Sequence, residues 1–267
     1  TRTSSATRVN PDYLIETVSI NSANLVQNGN FSELGSQLIT NGNFETDTDW
    51  NKATGVTISG GTLNFSGVAN GDSGTNQSSS IVVGKTYKAT FTVSNWVAGG
   101  VRILLGSTGT SATRSSNGTF TAYVVASGNT TIYLQSIGVT TLSVDNVSVK
   151  QVDPNDNWIL GTGWSIGTNK AICDGSSTFS DITQSSSIGT NLKYKVTYTI
   201  LDYVSGSVKV IMNNNSASGL ERNANGTYSD IITSLSNDFS FRALGSGFNG
   251  SISNVSVIEI QENGVPR

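Results

Sequence analysis

The sequence has no histidine, one cysteine, one methionine and three prolines among its 267 residues. Without histidine the chain lacks the commonest general base and a frequent metal ligand. A single cysteine, Cys173, can form neither an internal disulfide nor a zinc cluster. Charged residues make up only 12% of the chain and the net charge is −3. No basic stripe or long apolar run is visible, so we expect no nucleic-acid partner, no membrane partner and no membrane span.

What is abundant is glycine, with 29 residues, together with serine, threonine and asparagine. Between the glycine- and asparagine-rich turns, apolar and polar residues alternate with a period of two. This alternation is typical of half-buried antiparallel strands, and no long segment has helical spacing. The sequence therefore predicts an all-β fold built from sandwiches. The clearest alternating segments are residues 87–93, 101–105, 131–134 and 142–149.

An internal repeat divides the chain. The segment QSSSIVVGKTYKATFTV begins at Gln77, and QSSSIGTNLKYKVTYTI begins at Gln184; DNVSV from Asp145 is matched by SNVSV from Ser253. Matched positions include both the large inward residues and the turns, which indicates two copies of one fold. We predict two tandem antiparallel β-sandwich domains at residues 37–152 and 153–261. An extended N-terminal segment or linker at 1–36 precedes them, and a tail at 262–267 follows.

A short phrase occurs twice near the start, as LVQNGNF at residues 25–31 and as LITNGNF at residues 38–44. Only the second copy is soon followed by Glu45 and Trp50. We interpret the second copy as the opening of the first sandwich. The first copy is interpreted as a partial duplication in the N-terminal segment, able to pair as an extra edge strand. Trp50, Trp158 and Cys173 are predicted to lie in the cores.

The phrase LITNGNFET…DW and the closing LSVDNVSV resemble jelly-roll carbohydrate-binding modules of families four, nine and twenty-two. The resemblance implies a β-sandwich and a structural calcium beside the first and last strands. The matching ligand positions are Glu45 and Asp145, with Asn43 nearby, because calcium prefers oxygen ligands. The alternative is that both carboxylates are ordinary surface groups. In the second repeat Ser253 stands where the first has Asp145, so no calcium is expected there unless Asp153 or Asp156 substitutes as a ligand.

The two ends resemble a different group. TRTSSATRVNPDYLIETV from Thr1 and NGVPR ending at Arg267 resemble a phrase that recurs in tailed-phage virion proteins and related adhesins, although Tyr13 stands where that phrase has glycine. The resemblance implies a place on the exterior of a phage particle, in contact with other virion subunits. Because the phrase usually continues past this point, we also expect the sequence to be part of a longer protein.

Catalysis is not expected. Glycoside hydrolysis needs two carboxylates about 5–10 Å apart. Acidic residues are few here, most lie in predicted turns, and we predict no pair of them on adjacent strands. Nucleophilic triads need a base that the sequence lacks, and no phosphate-binding loop is present.

Glycan binding is a more specific hypothesis than catalysis. Proteins hold sugars with aromatic platforms and planar polar groups, and the sequence offers candidates for both. Trp96 and Tyr203 are expected at equivalent strand ends, where an aromatic ring can edge a cleft. The alternative is that the polar residues are ordinary solvated strand positions and that Trp96 caps the core. The residues expected to face outward on the strands are Thr90, Thr92, Arg102, Leu104, Tyr133 and Gln135 in the first repeat, and Thr197, Thr199, Lys209, Ile211 and Arg242 in the second.

Three functions remain open from the sequence. The favoured one is a non-catalytic phage structural or adhesion protein (a fibre, spike or capsid decoration) that binds host cell-surface polysaccharide. The second is a carbohydrate-binding module pair of a secreted bacterial glycan-degrading protein, with an extracellular location. The third is a purely structural protein whose sandwiches make subunit contacts.

Overall fold

The computed structural model describes residues 5–9, 15–20, 22–185, 188–212 and 216–263. These residues form seventeen strands and no helix, so the all-β prediction is confirmed. Within the same ranges no helix is long and apolar enough to cross a membrane. The strands are β1 Ser5–Val9, β2 Ile15–Ile20, β3 Leu34–Gln37, β4 Val56–Ser59, β5 Thr62–Val68, β6 Asn76–Ser78, β7 Thr86–Leu105, β8 Gly109–Thr110, β9 Gly118–Val125, β10 Thr131–Val152, β11 Ile159–Leu160, β12 Trp164–Gly167, β13 Lys170–Asp174, β14 Asp181–Ser185, β15 Lys193–Ile211, β16 Gly226–Thr233 and β17 Asp238–Asn263.

The strands form two compact units whose main segments lie close to the predicted sandwiches, but one unit also takes in the N-terminal segment. Sandwich A comprises residues 34–154, and sandwich B comprises residues 155–267 together with the chain up to Glu33. The prediction that residues 1–36 are a linker is therefore wrong. Strand β2 pairs with the end of β17 and β1 pairs with β2, which adds a hairpin to the sheet of sandwich B. The sequence of sandwich A is thus inserted into that of sandwich B. Strand β17 also extends into the predicted tail, as far as Asn263.

In sandwich A two long antiparallel strands, β7 and β10, run side by side within one hydrogen-bonded sheet of eight strands. Their register shifts between residues 137 and 148 of β10, which divides each long strand into two halves. Strand β9 pairs with the first half of β7, and β6 pairs with the first half of β10. The predicted alternation is confirmed, since Tyr87, Ala89, Phe91 and Val93 are all buried.

Sandwich B repeats this arrangement with β15 and β17 as its long pair. Strand β16 pairs with the first half of β15, while β13 and β14 pair with β17. The core positions predicted for Trp50, Trp158 and Cys173 are confirmed, because all three are buried. Burial raises the pKa of the Cys173 thiol, which keeps it protonated and unreactive.

The two copies of the doubled phrase make the same contacts, one copy in each sandwich. In sandwich A the ring of Phe44 packs on Trp50, with 5.5 Å between centroids; in sandwich B the ring of Phe31 packs on Trp158 at 4.8 Å. Each Trp Nε1 then donates to the carbonyl of the first asparagine of the phrase, at 3.2 Å in both cases. The interpretation of the first copy as a partial duplication is therefore wrong: it opens sandwich B.

The glycine of each phrase lies against the closing strand of its own sandwich. The amide of Val147 donates to the carbonyl of Gly42, and the amide of Val255 donates to the carbonyl of Gly29, both at 2.8 Å. A Cβ on either glycine would collide with the carbonyl oxygen of that same valine. Only glycine permits so close a backbone approach, which explains why both copies contain it.

A buried glutamine fixes the residues that precede each turn. The side chain of Gln77 accepts from the amide of Thr40 and donates back to its carbonyl, both at 2.9 Å. Gln184 makes the same two bonds with Gln27 in sandwich B, both at 2.8 Å. These two glutamines begin the repeated QSSSI segments, so the repeat and the doubled phrase belong to one structural unit.

We predict that Phe31→Ala destabilises sandwich B by about 3–5 kcal/mol, as for other buried phenylalanines. Phe31 is 2% exposed, and truncating it leaves a cavity beside Trp158. The free energy of unfolding from urea titration measures the effect. The control is Phe179→Ala in the same sandwich, where the ring is 68% exposed and little change is expected. A Phe31→Ala variant as stable as the wild type would contradict this role.

Candidate functional site

Three of the predicted glycan-binding residues of sandwich A lie together on one outward sheet face. Gln135 on β10 is the cross-strand neighbour of Arg102 on β7. Tyr133 lies two residues before Gln135, on the same side of β10. Arg102 Nε donates to Gln135 Oε1 at 2.8 Å. Among the described residues this is the only hydrogen bond of the Arg102 side chain, so its terminal nitrogen atoms remain available as donors.

Neighbouring loops hold the other two side chains of this group. Gln135 Nε2 donates to the carbonyl of Gly71 at 3.0 Å and to Ser73 Oγ at 2.7 Å. The hydroxyl of Tyr133 accepts from Asn129 Nδ2 at 2.9 Å. These hydrogen bonds hold the polar ends of both side chains in place without a ligand, so the face is preorganised.

In sandwich B the same face carries an ion pair. Arg242 Nε and Nη2 donate to the two carboxylate oxygens of Asp181, at 2.8 and 2.7 Å. This two-bond geometry is the strongest form of an arginine–carboxylate contact, and it raises the pKa of Arg242. Lys209, the third predicted residue of this sandwich, is the cross-strand neighbour of Arg242 on the other side.

Beside this pair lies a hollow of about 250 Å³. It exists because Ser240 faces Ile211 where Tyr133 faces Leu104 in sandwich A, so a small side chain replaces a large ring. Ser240 Oγ shares a hydrogen bond of 2.9 Å with Thr183 Oγ1 on β14. The lining residues are Asp181, Thr183, Ile211, Ser236, Asp238, Ser240 and Arg242.

Sequence reasoning found two of these lining residues, Ile211 and Arg242. One signal was present, because Ser240 precedes Arg242 by two positions and therefore shares its outward side of the strand. No local signal marks Asp181 or Thr183. They reach the site only because β14 pairs with β17, with Asp181 opposite Arg242 and Thr183 opposite Ser240.

Trp96 and Tyr203 are structurally equivalent, as predicted. The amide of Trp96 donates to Asn117 Oδ1 and its indole to the carbonyl three residues on, both at 2.9 Å. Tyr203 repeats both contacts, at 2.9 Å to Asn225 and 3.0 Å to the carbonyl three residues on. Trp96 lies six residues from Arg102 along β7, at most about 20 Å, and no hydrogen bond or ring contact among the described residues joins Trp96 to Arg102 or Tyr203 to Arg242.

The predicted calcium ligands lie on either side of one backbone contact: Asn43 and Glu45 follow Gly42, whose carbonyl accepts from the amide of Val147, two residues after Asp145. Asn43 lines an open hollow beside the opening turn, but neither Glu45 nor Asp145 lines it. The Asp145 carboxylate accepts from the amide of Asn146 at 2.6 Å and from its Nδ2 at 3.1 Å. In the described ranges, no three histidine, cysteine or acidic side chains cluster to hold a metal. Calcium stays a prediction from the resemblance.

Two carboxylates do lie on adjacent strands, contrary to the sequence prediction. Asp181 on β14 and Asp238 on β17 line the same hollow. However, Asp181 pairs with Arg242 and Asp238 pairs with Ser185, four positions further along. That register separates the two backbones by about 13 Å along the strands. Asp181 is also committed to Arg242, so this arrangement does not suit acid–base hydrolysis.

Comparison with known proteins finds similarity among solved structures. No family model matches the chain, and no curated protein matches it. A solved structure of the N-terminal CBM22-1-CBM22-2 tandem domain of Paenibacillus barcinonensis Xyn10C aligns over 89% of this chain and 99% of its own length. The sequence identity is 12% and the TM-score is 0.34. So distant a likeness assigns neither a ligand nor functional residues to this chain.

If calcium binds through Glu45 and Asp145, adding a chelator lowers the melting temperature of the wild type. The Glu45→Ala, Asp145→Ala double variant then melts at the same temperature with and without calcium, because oxygen ligands on both sides of the ion are gone. Calorimetry with calcium or EGTA measures this. A wild-type melting temperature that ignores both additions would remove the calcium proposal.

Proposed function

We propose that the chain is a non-catalytic glycan-binding protein, in which the polar sheet face of each sandwich holds a sugar. The observation that carries the proposal is the hollow of sandwich B, about 250 Å³ in volume and lined by an arginine–carboxylate pair, hydroxyl groups and one aliphatic side chain. It is smaller than the roughly 300–1,000 Å³ of drug-sized pockets. A single sugar ring suits it better than a length of chain.

The hydrogen-bonding groups of this hollow match those of a sugar. Sugar hydroxyls both donate and accept, and the hollow offers donors on Arg242, acceptors on Asp181 and a hydroxyl pair on Thr183 and Ser240. Ile211 supplies an apolar wall for the carbon face of the ring. The charges of Asp181 and Arg242 offset each other, which favours a neutral ligand rich in hydroxyl groups.

Sandwich A offers a flatter version of the same face. The Tyr133 ring stands where sandwich B has its hollow, next to Gln135 and the free terminal nitrogens of Arg102. An aromatic ring beside planar polar groups is a common way to hold a pyranose. We therefore expect sandwich A to bind a sugar across its surface, and sandwich B to bind one in its hollow.

The non-catalytic part of the proposal rests on the chemistry of the same face. The sequence contains no histidine, and both carboxylate oxygens of Asp181 accept hydrogen bonds from Arg242. A reaction that breaks a glycosidic bond needs an acid and a second carboxylate on opposite sides of that bond.

The biological setting is proposed separately. A carbohydrate-binding pair in a secreted protein needs only the two sandwiches. A place on a phage exterior, with virion subunits as partners, is supported by the terminal phrase alone, and that phrase lies in residues whose side chains fall outside the described set. Mass spectrometry of purified particles or of culture supernatant distinguishes the two locations. A purely structural role predicts that no glycan binds at all.

We expect glycan binding with a dissociation constant of about 0.1–1 mM. In sandwich B, Ser240→Tyr should weaken binding at least tenfold by filling the hollow with the side chain that sandwich A carries, and Arg242→Ala should do so by removing donors. Arg102→Ala should weaken binding by sandwich A. A glycan array to find the ligand, followed by isothermal titration calorimetry, measures these effects.

The matched control is Lys195→Ala, an exposed residue on the first half of β15 and away from the hollow; it should bind as the wild type does. Trp96→Ala asks whether its exposed ring is a separate stacking platform. Wild-type protein that binds no host or plant polysaccharide would contradict the proposal, as would Ser240→Tyr and Arg102→Ala variants with unchanged affinity.

A further inference from the structure

The first half of β7 and the second half of β10 carry an unusual charge arrangement on their outward face. Lys88 on β7 and Lys150 on β10 are direct cross-strand neighbours. Tyr123 on β9 is the neighbour of Lys88 on the opposite side. The three side chains point outward, since the residues next to them, Tyr87 and Val149 among others, are buried in the core. A row of one ring and two ammonium groups therefore crosses three strands.

Nothing in the described part of the chain neutralises the two lysines. Neither side chain has a hydrogen-bond or ion-pair partner among the described residues. Cross-strand neighbours have Cβ atoms about 4.5–5.5 Å apart, and like charges placed there destabilise a sheet. On this face the carboxylate of Asp145 lies opposite Thr92, which is four residues or about 13 Å along β7 from Lys88. The pair is thus a feature that costs stability without an internal counter-charge.

Sandwich B supplies an internal comparison for this row. Its corresponding lysine, Lys195, lies between Ile231 on β16 and Ile258 on β17. The fold therefore accepts an aliphatic residue at both flanking positions. Because the scaffold does not require a second lysine or a tyrosine in this row, the row of sandwich A is specific to that sandwich.

We propose that Lys88, Lys150 and Tyr123 form a binding site for an anionic sugar polymer, with a carboxylate or sulfate group between the two ammonium groups and a sugar ring against Tyr123. An anion there removes the repulsion between the lysines, and the ring provides an apolar face for a pyranose. The choice of a sugar as the anion's carrier rests on the proposed glycan-binding function.

The neighbouring row of the same face supports a sugar rather than a small inorganic ion. Thr121, Thr90 and Ser148 lie side by side on the same three strands, two residues further along. Their hydroxyl groups lie next to the lysine row and can bond the hydroxyls of the next sugar residue. The site also differs from the Arg102 face, because it lies on the first half of β7 and the second half of β10.

The test compares the wild-type chain with Lys150→Ile and Tyr123→Ile, each of which introduces the residue that sandwich B has. The probes are oligogalacturonate, a sulfated dextran oligosaccharide and a neutral dextran oligosaccharide, measured by calorimetry at low and high salt. We expect at least one acidic oligosaccharide to bind the wild type and to lose at least tenfold in affinity with Lys150→Ile. High salt should weaken the same binding, because exposed charges are screened. The carboxylated and sulfated probes identify which anion the lysines prefer.

Folding is controlled within the experiment, because Lys150→Ile removes a repulsion and should melt no lower than the wild type. Ser240→Tyr and Arg242→Ala should leave acidic binding unchanged, which separates a failure of this site from a failure of the neutral-glycan proposal. Unchanged affinity for the acidic probes in Lys150→Ile would overturn the site. Equal binding of polyglutamate would overturn the assignment to sugars.

Discussion

The contact between each opening turn and its closing strand is the constraint on which both sandwiches depend. The glycine of the turn touches backbone where no side chain fits, next to Val147 in one sandwich and Val255 in the other. The phenylalanine that follows packs on a tryptophan of the same sandwich. Sandwich B uses the copy of the phrase that precedes sandwich A. Its opening turn and its closing strand are therefore separated in the sequence by the whole of sandwich A.

The closing strands link this constraint to the candidate sites. Strand β10 carries Val147 at one end and Gln135 nearer the other, and β17 likewise carries Val255 and Arg242. The turn contact therefore anchors the same strand that presents the polar face. The two sandwiches share this arrangement and differ in a few side chains. Tyr133 fills the polar face of sandwich A, and Ser240 leaves a hollow at the same place in sandwich B.

Local pattern was enough to predict the all-β class, the repeat, the buried tryptophans and the outward side of Arg102, Gln135 and Arg242, because strand alternation is a short-range property. The insertion was missed because Phe31 meets Trp158 only after all of sandwich A, and no local pattern reports such a pairing. The partners of Arg242 were missed for a similar reason: Asp181 reaches it through the pairing of β14 with β17. The separation of Trp96 from Arg102 depends on their distance along β7, which an inward–outward pattern does not contain.

The central claim is that sugars bind at the polar face and, in sandwich B, inside the hollow beside the Asp181–Arg242 pair. The most direct measurement is a crystal structure of the chain soaked with the neutral oligosaccharide that it binds best on an array. The account predicts a sugar ring in the hollow, with its hydroxyls bonded to Asp181, Arg242 and the hydroxyl of Ser240. A sugar bound elsewhere on sandwich B, with the hollow holding only water at saturating concentration, would contradict it.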